Sequence, residues 1–172
     1  LRPASISADK STDFEFVKNA LDTIAKLEDL PDYIAHLRPT TPLRDPYLLE
    51  KAINVFTSSS NNFTSLRSVH LDSESAYKST EIDEYGFLTT VFTNSRDLDS
   101  INSARQAFPR TFTPNGYIDI IDVKFVLSKS KLHGDKVMPF ITPHVIEIDS
   151  PSDLPLARSY LQLNPDKKSS IF

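Results

Sequence analysis

An α/β domain is the fold class this sequence predicts, and three observations predict it. Apolar residues at helical spacing alternate with short strand-like runs, in the order helix–strand–helix–strand, then a hairpin, then a strand and a helix. Two of the helices open on strong start signals. The chain has 172 residues, 39% of them apolar, enough to build one core in a single domain.

The elements follow in order. Thr12-Asp13-Phe14-Glu15 reads as a capping box, with Thr12 as N-cap and Glu15 reaching back. Phe14, Val17, Leu21, Ile24 and Ala25 then recur at helical spacing, so a helix to about Glu28 is predicted. Tyr33 to Leu37 is short and apolar, which predicts a buried strand. Asp45-Pro46 starts a second helix, an N-cap acid before a proline at the first helical position; Leu49, Ala52, Ile53 and Phe56 form its apolar face. The segment Thr57 to Asn62 is a loop by composition. Ser65 to Leu71 is a strand, and Ile82 to Phe92 a hairpin around Glu84-Tyr85-Gly86. Asp97 to Ser103 is polar and expected to be mobile. Pro114-Asn115-Gly116 reads as a turn, Tyr117 to Val123 as a strand, and Val123 to Leu127 as a short helical turn. Val145 to Ile148 is a last strand and Ser152 to Leu163 a last helix. The region near residues 72–100 is a small β excursion from the main domain.

Composition removes several function classes. A net charge of −4 with no basic stripe argues against a broad nucleic-acid surface. No run approaches the roughly 18 apolar residues of a membrane helix. Cysteine is absent, so disulfides and thiolate metal sites are excluded. The only glycines are Gly86, Gly116 and Gly134, too scattered for a Gly-rich phosphate loop. The segment Asn62-Phe63-Thr64 matches a glycosylation sequon, with no secretory signal to put it to use. His36, His70, His133 and His144 show no metal-ligand spacing and are expected to be packed or solvated.

Two segments carry the chemistry. The stretch LRPTTPLRDP, residues 37–46, follows a predicted strand, and ligands in α/β sheets sit beyond the carboxyl ends of strands. Pro39 and Pro42 restrict its backbone, while Arg38, Thr40, Thr41 and Arg44 supply donors suited to phosphate or carboxylate. The same pattern equally describes a stiff turn with solvated arginines. In Ile146-Glu147-Ile148-Asp149, two acids alternate with isoleucines and so share one face. Hard oxygen ligands of this kind suit Mg²⁺ shared with substrate phosphates; alternatively, Asp149 or Ser150 only caps the last helix. Arg105 stands in a polar segment and is either a substrate clamp or surface.

Taken in sequence, these motifs resemble the sugar-acid cytidylyltransferases. Arg2-Pro3 with Asp9 and Ser11-Thr12 is similar to that family's RP-x-x-L-x-x-D-x-[ST] segment. Arg38 to Arg44 is similar to its QPTSPLR signature, and Ala76-Tyr77-Lys78 with Ile82 to Leu88 to its hairpin region. Pro114-Asn115-Gly116 is similar to its RPNGAIY segment, and Ile146 to Asp149 to its IDID metal strand, continued by Ser150 to Leu154. The resemblance runs from Arg2 to about Leu161. It implies a Rossmann-like nucleotidyltransferase sheet with helices on both faces and a hairpin dimerisation arm at about 72–100. It implies transfer of CMP from CTP to the anomeric hydroxyl of a nonulosonic acid, with pyrophosphate released. Glu147 and Asp149 would then hold Mg²⁺, and Arg105 and Asn115 would contact the sugar acid. Tyr77 and Lys78 would lie in the arm of a cytoplasmic homodimer.

Departures from the family are informative. Arg38 falls where a sugar-contacting Gln is usual, Glu147 replaces the first metal Asp, and Asp119 stands at the tyrosine of RPNGAIY. Leu132 and His133 replace an aromatic pair that walls the sugar pocket. These changes point to a related substrate, such as a legionaminic, pseudaminic or other sugar acid. The family's opening strand and phosphate-gripping loop, about two βα units of roughly 30 residues each, have no counterpart here. The chain is therefore expected to be N-terminally truncated or, alternatively, a non-catalytic, dimerising or sugar-acid-binding relative.

Overall fold

The computed structural model of the chain describes residues 3–8, 10–59 and 62–165. Arg2 and Asp9 of the first resembling segment, and Ser60 and Asn61 of the polar loop, lie outside the described residues.

Helix α1 spans Asp13–Ile24, and its capping box forms as the sequence predicts: Thr12 Oγ1 accepts from Glu15 N, and Thr12 N donates to Glu15 Oε2 at 2.6 Å. Single hydrogen-bonded turns carry the chain on to Glu28. Helix α2, Pro46–Thr57, starts on Asp45, whose carboxylate accepts from Tyr47 N at 3.0 Å. Helix α3 is Val123–Lys129, capped by Asp122, and α4 is Leu154–Leu163, preceded by a 3₁₀ turn over Pro151–Asp153. The strands are β1 (Tyr33–His36), β2 (Ser65–Leu71), β3 (Thr80–Ile82), β4 (Leu88–Thr90), β5 (Phe112–Asp122) and β6 (Val137–Ile141).

Four strands form one sheet in the order β1-β5-β2-β6. The sheet is mixed. β1 is antiparallel to β5, with His36 opposite Asp119, whereas β2 and β6 advance in step: Thr64 N bonds Lys136 O and Thr142 N bonds Val69 O. Helices cover both faces, and the side chains of β5 sort between them. Ala52 and Phe56 of α2 pack with Leu66, Ile120, Met138 and Phe140 on one side. Val17 and Leu21 of α1 and Val126 of α3 pack with Ile121 on the other. A strand buried on both faces reads as a continuous apolar run, and Tyr117 to Ile121 does so except for Asp119.

Three local expectations are corrected. β1 is not buried: Tyr33, Ile34 and His36 are half-buried and Ala35 is exposed, because β1 stands at one edge of the strand order. Pro114-Asn115-Gly116 is not a turn but part of β5, and Gly116 has no positive φ. Val145–Ile148 is not a strand; its Ile148 N donates instead to Thr40 O of the proline loop, at 2.7 Å. Within Asp97 to Ser103, Leu98–Ile101 forms a capped 3₁₀ turn.

The chain divides into two compact units, and the boundary falls within β2, β5 and β6. The first holds the residues up to Ser68, Asn115–Phe140 and Val145 onward; the second holds Val69–Pro114 and Ile141–His144. The second unit contains the predicted hairpin, β3 antiparallel to β4, closed by the carboxylate of Asp83, which accepts from Tyr85 N and Phe87 N. Gly86 sits in the turn at φ 84°, where only glycine is unstrained. Among the described residues no helix is long and apolar enough to cross a membrane.

Phe56 is fully buried at the centre of the α2 face. Phe56→Ala is expected to lower unfolding free energy by about 3–5 kcal/mol, read as a shifted urea midpoint at constant slope. A loss under about 1 kcal/mol would contradict this packing.

Candidate active site

The proline loop that follows β1 is fastened to β5 by one side chain. Arg44 Nε donates to Tyr117 O at 2.7 Å, and its Nη2 donates to Gly116 O at 2.8 Å and Arg38 O at 2.6 Å. A guanidinium presents its donors in a fixed fork, so three carbonyls fix the loop's orientation. Arg44 therefore acts as the loop's fastener, its bonded donors committed to backbone. Tyr117 OH adds a bond from Asp45 N, tying the start of α2 to the same strand.

Gly116 is the point where the loop and strand touch. A Cβ there would lie 2.6 Å from Thr41 Oγ1 and 2.8 Å from Arg38 Cδ. Thr41 is fully buried. Glycine is thus required for close approach, not for turning the chain. Gly116 N donates to Glu147 Oε1 at 2.8 Å, and Ile148 N reaches Thr40 O. The late acidic segment and the proline loop, far apart in sequence, therefore meet at Gly116. Arg38 turns its guanidinium to the carboxylate of Asp13 at the start of α1.

Glu147 and Asp149 are both exposed, whereas Ile146 and Ile148 are half-buried. Among the described residues no group of three or more His, Cys, Asp or Glu converges on a metal-ligand cluster. Two exposed carboxylates fit the one case that needs no such cluster: Mg²⁺ held by one or two acids, with substrate phosphates and waters completing its shell. Asp149 N also donates to Asp153 Oδ2 in the cap of the final helical segment, so this stretch has the capping role that was the alternative reading.

A buried polar group lies on the α1 side of the sheet. Asp119 of β5 is 3% exposed. Arg67 Nε of β2 lies 3.6 Å from its Oδ1, and His133 Nε2 lies 4.0 Å from its Oδ2. The hydroxyls of Thr64 and Ser65 hold the backbone carbonyl of His133. Burial raises the Asp119 carboxyl to about 6, against the opposing pull of Arg67 and Arg38. Burial also lowers His133 to about 4, helped by the same arginines. His36, packed edge-on against Phe16, is lowered by burial too. Both imidazoles are consequently neutral at pH 7.

Asn115 is buried and its Oδ1 accepts from Tyr117 N within β5. Arg105, Tyr77 and Lys78 belong to the second unit. Arg105 there lines a cleft of about 550 Å³ with His70, Asp72, Thr113 and His144, and donates to Asp72 O at 3.3 Å. Tyr77 stacks on Phe92 at 4.4 Å, and Lys78 pairs with Glu74 at 3.5 Å. Sequence reasoning missed Arg67, Asp13 and the approach of His133 to Asp119. The available signal was Arg67 itself, one cation between buried Leu66 and buried Ser68 in strand β2.

These features have counterparts among known proteins. No family model matches the chain. In structure it is similar to a 4-diphosphocytidyl-2C-methyl-D-erythritol synthase from Anaerococcus prevotii, with TM-score 0.55 and 16% identity over 89% of this chain and 68% of that one. It is also similar to CMP:2-keto-3-deoxy-manno-octonic acid synthetase complexed with CTP, with TM-score 0.57 and 16% identity over 90% and 70%. The fold is therefore that of the nucleotidyltransferases. In sequence, the whole chain is 25% identical to N-acylneuraminate cytidylyltransferase from Escherichia coli O18:K1:H7 (strain RS218 / NMEC), over 174 residues. The sequence match and the structural match together support a sugar-acid cytidylyltransferase-like family, as the ordered motifs imply. The chain spans 39% of the length of that curated relative.

Two outcomes test the site's physics. Gly116→Ala is expected to destabilise the chain by about 1–3 kcal/mol through overpacking; a urea midpoint equal to wild type would refute the close approach. The second concerns pH. Asp119 binds its proton more tightly when folded, so its contribution to stability falls as pH rises from its ordinary 3.8 to about 6. His133 binds its proton less tightly when folded, so its contribution rises from about pH 4 to its ordinary 6.5. The two slopes oppose. Asp119→Asn should leave the His133 slope alone, giving stability that climbs from pH 4 to 6.5 more steeply than in wild type. Parallel pH profiles for the two proteins would refute the assignment.

Proposed function

We propose that this chain is part of a cytidylyltransferase that moves CMP from CTP onto the anomeric hydroxyl of a nonulosonic-type sugar acid, releasing pyrophosphate. One observation carries the reading. The proline loop and the late acidic segment converge on Gly116, through Glu147 Oε1 and through Ile148 N to Thr40 O. Convergence of a cation-bearing loop with paired acids is what a triphosphate and its counter-ion require.

In this reading Glu147 and Asp149 hold Mg²⁺, which when bound would spread the charge that develops on the phosphates. Arg44 keeps the loop in register with β5, so Thr40, Thr41 and Arg38 stay where the substrates meet. Arg38 brings a guanidinium whose charge is balanced by Asp13 until an anionic group competes for it. The sugar hydroxyl attacks the α-phosphorus and gives up its proton to solvent, the bond to the β-phosphate oxygen breaks, and pyrophosphate leaves in line. Catalysis of this kind rests on positioning and charge stabilisation, which a rigid, proline-restricted loop supplies. Arg105, in the second unit, is proposed as a carboxylate contact on the resemblance alone, and within that unit it lines a cleft with His70 and His144. A cytoplasmic homodimer belongs to the same proposal. Its support is the hairpin arm, where Ile82, Tyr85 and Phe87 are exposed and Tyr77 and Lys78 lie close by in sequence.

CTP-dependent pyrophosphate release, measured on a panel of nonulosonic acids, tests the reaction. Glu147→Gln and Asp149→Asn keep their shape but lose charge, and Gln can still accept from Gly116 N. Each is expected to reduce apparent Mg²⁺ affinity or turnover by at least about tenfold with little change in melting temperature. Variants with wild-type Mg²⁺ dependence would sink the metal assignment. Sugar-acid binding without CTP binding would select the non-catalytic relative instead.

A further inference from the structure

We propose that His70 and His144 form a site for one divalent transition-metal ion, of the Zn²⁺, Ni²⁺ and Cu²⁺ class, in the cleft of the second unit. The inference goes beyond the cytidylyltransferase reading and does not depend on it. Mg²⁺, the ion that reading invokes, takes oxygen ligands, whereas imidazole suits Zn²⁺, Ni²⁺ and Cu²⁺.

The two histidines share no ligand spacing in the sequence; the pairing of β2 with β6 brings them together. His70 lies near the end of β2, and Thr142, just beyond β6, donates from its N to Val69 O at 2.9 Å. Pro143 then stiffens the one step that remains to His144. The result is a pair of imidazoles with ring centres 4.6 Å apart and planes inclined at 55°. An ion about 2.0–2.1 Å from one nitrogen of each ring, at ligand angles of about 90–109°, holds the ring centres about 4.5–5.2 Å apart. The observed spacing matches a shared ion. Only one nitrogen of each ring is needed, and the other remains for a hydrogen bond, as is usual for a ligating histidine.

An ion can reach the pair. His70 is half-buried, His144 is exposed, and both line the open cleft of about 550 Å³. The charges there do not oppose a cation: Asp72 and Glu74 line the cleft with Arg105, and Lys78 pairs with Glu74, so two carboxylates offset two cations. The Asp72 carboxyl is held below its ordinary value, chiefly by hydrogen bonds from Thr111 and Thr113 and further by the charge of His70. Among the described residues no third His, Cys, Asp or Glu completes a cluster, so water or an anionic oxygen fills the remaining positions. The bound ion joins the two chain segments of the second unit, Val69–Pro114 and Ile141–His144, and stabilises it by mass action.

Calorimetric titration of Zn²⁺ into this chain, in excess Mg²⁺, tests the proposal, with Ni²⁺ and Cu²⁺ as further probes. One ion per chain is expected, with Cu²⁺ bound most tightly and showing nitrogen couplings from two imidazoles in its electron paramagnetic resonance spectrum. His144→Ala, at an exposed position, and His70→Ala are each expected to weaken Zn²⁺ binding at least about tenfold and to remove the rise in melting temperature that Zn²⁺ produces. If His70→Ala fails to fold, His144→Ala and the copper spectrum decide. Absence of Zn²⁺ heat, displacement of Zn²⁺ by Mg²⁺, fewer than two imidazole nitrogens on copper, or a loss of less than about tenfold in His144→Ala overturns the site and leaves the cytidylyltransferase reading standing.

Discussion

The structure depends on the grip of Arg44 on three backbone carbonyls. Proline removes N–H donors from a loop, so a segment with Pro39, Pro42 and Pro46 cannot hold itself in place by backbone bonds alone. Arg44 supplies the missing donors from a side chain and directs them at Arg38, Gly116 and Tyr117. This links the loop to β5, and β5 is the strand that both core clusters share. Charged hydrogen bonds of this kind are shorter and stronger than neutral ones. Removing the cation would leave several carbonyls without that partner at once, so the effect would exceed that of losing any single contact.

Around that fixed point the protein places groups that a core would ordinarily exclude. Asp119 interrupts the apolar run of β5, Arg67 reaches it from the neighbouring β2, and His133 approaches from the loop after α3. Desolvation disfavours both charged forms, which is why the carboxyl moves up and the imidazole moves down. Retaining such groups weakens the fold relative to an apolar filling. At pH 7 the imidazole is neutral, while the carboxyl, raised to about 6, is still mostly ionised beside the Arg67 guanidinium.

Much of this was legible in the sequence where local chemistry decides the structure. Thr12 with Glu15, and Asp45 with Pro46, mark helix starts because they satisfy orphan N–H groups or have none to satisfy. The hairpin was legible from Gly86 for a similarly local reason. Long-range contacts were not. Pro114-Asn115-Gly116 has turn composition, yet its glycine answers to Thr41 in another segment. Ile146 to Asp149 has strand alternation, yet its backbone partner is Thr40 in a loop. The resemblance singled out both Asp119 and His133 as departures, but Arg67, and the distances that join the three, are seen only in the packing.

The bare backbone at Gly116 has a consequence for how this scaffold could change its chemistry. A floor that tolerates no added atom offers no latitude for variation, since Thr41 and Arg38 already occupy the space a side chain would need. Latitude lies instead in the wall, where exchanging one polar group for another leaves the main chain undisturbed. Under the proposed function, divergence in what such a protein accepts would fall at polar positions such as 119 and 133, with the frame around Gly116 left as it is.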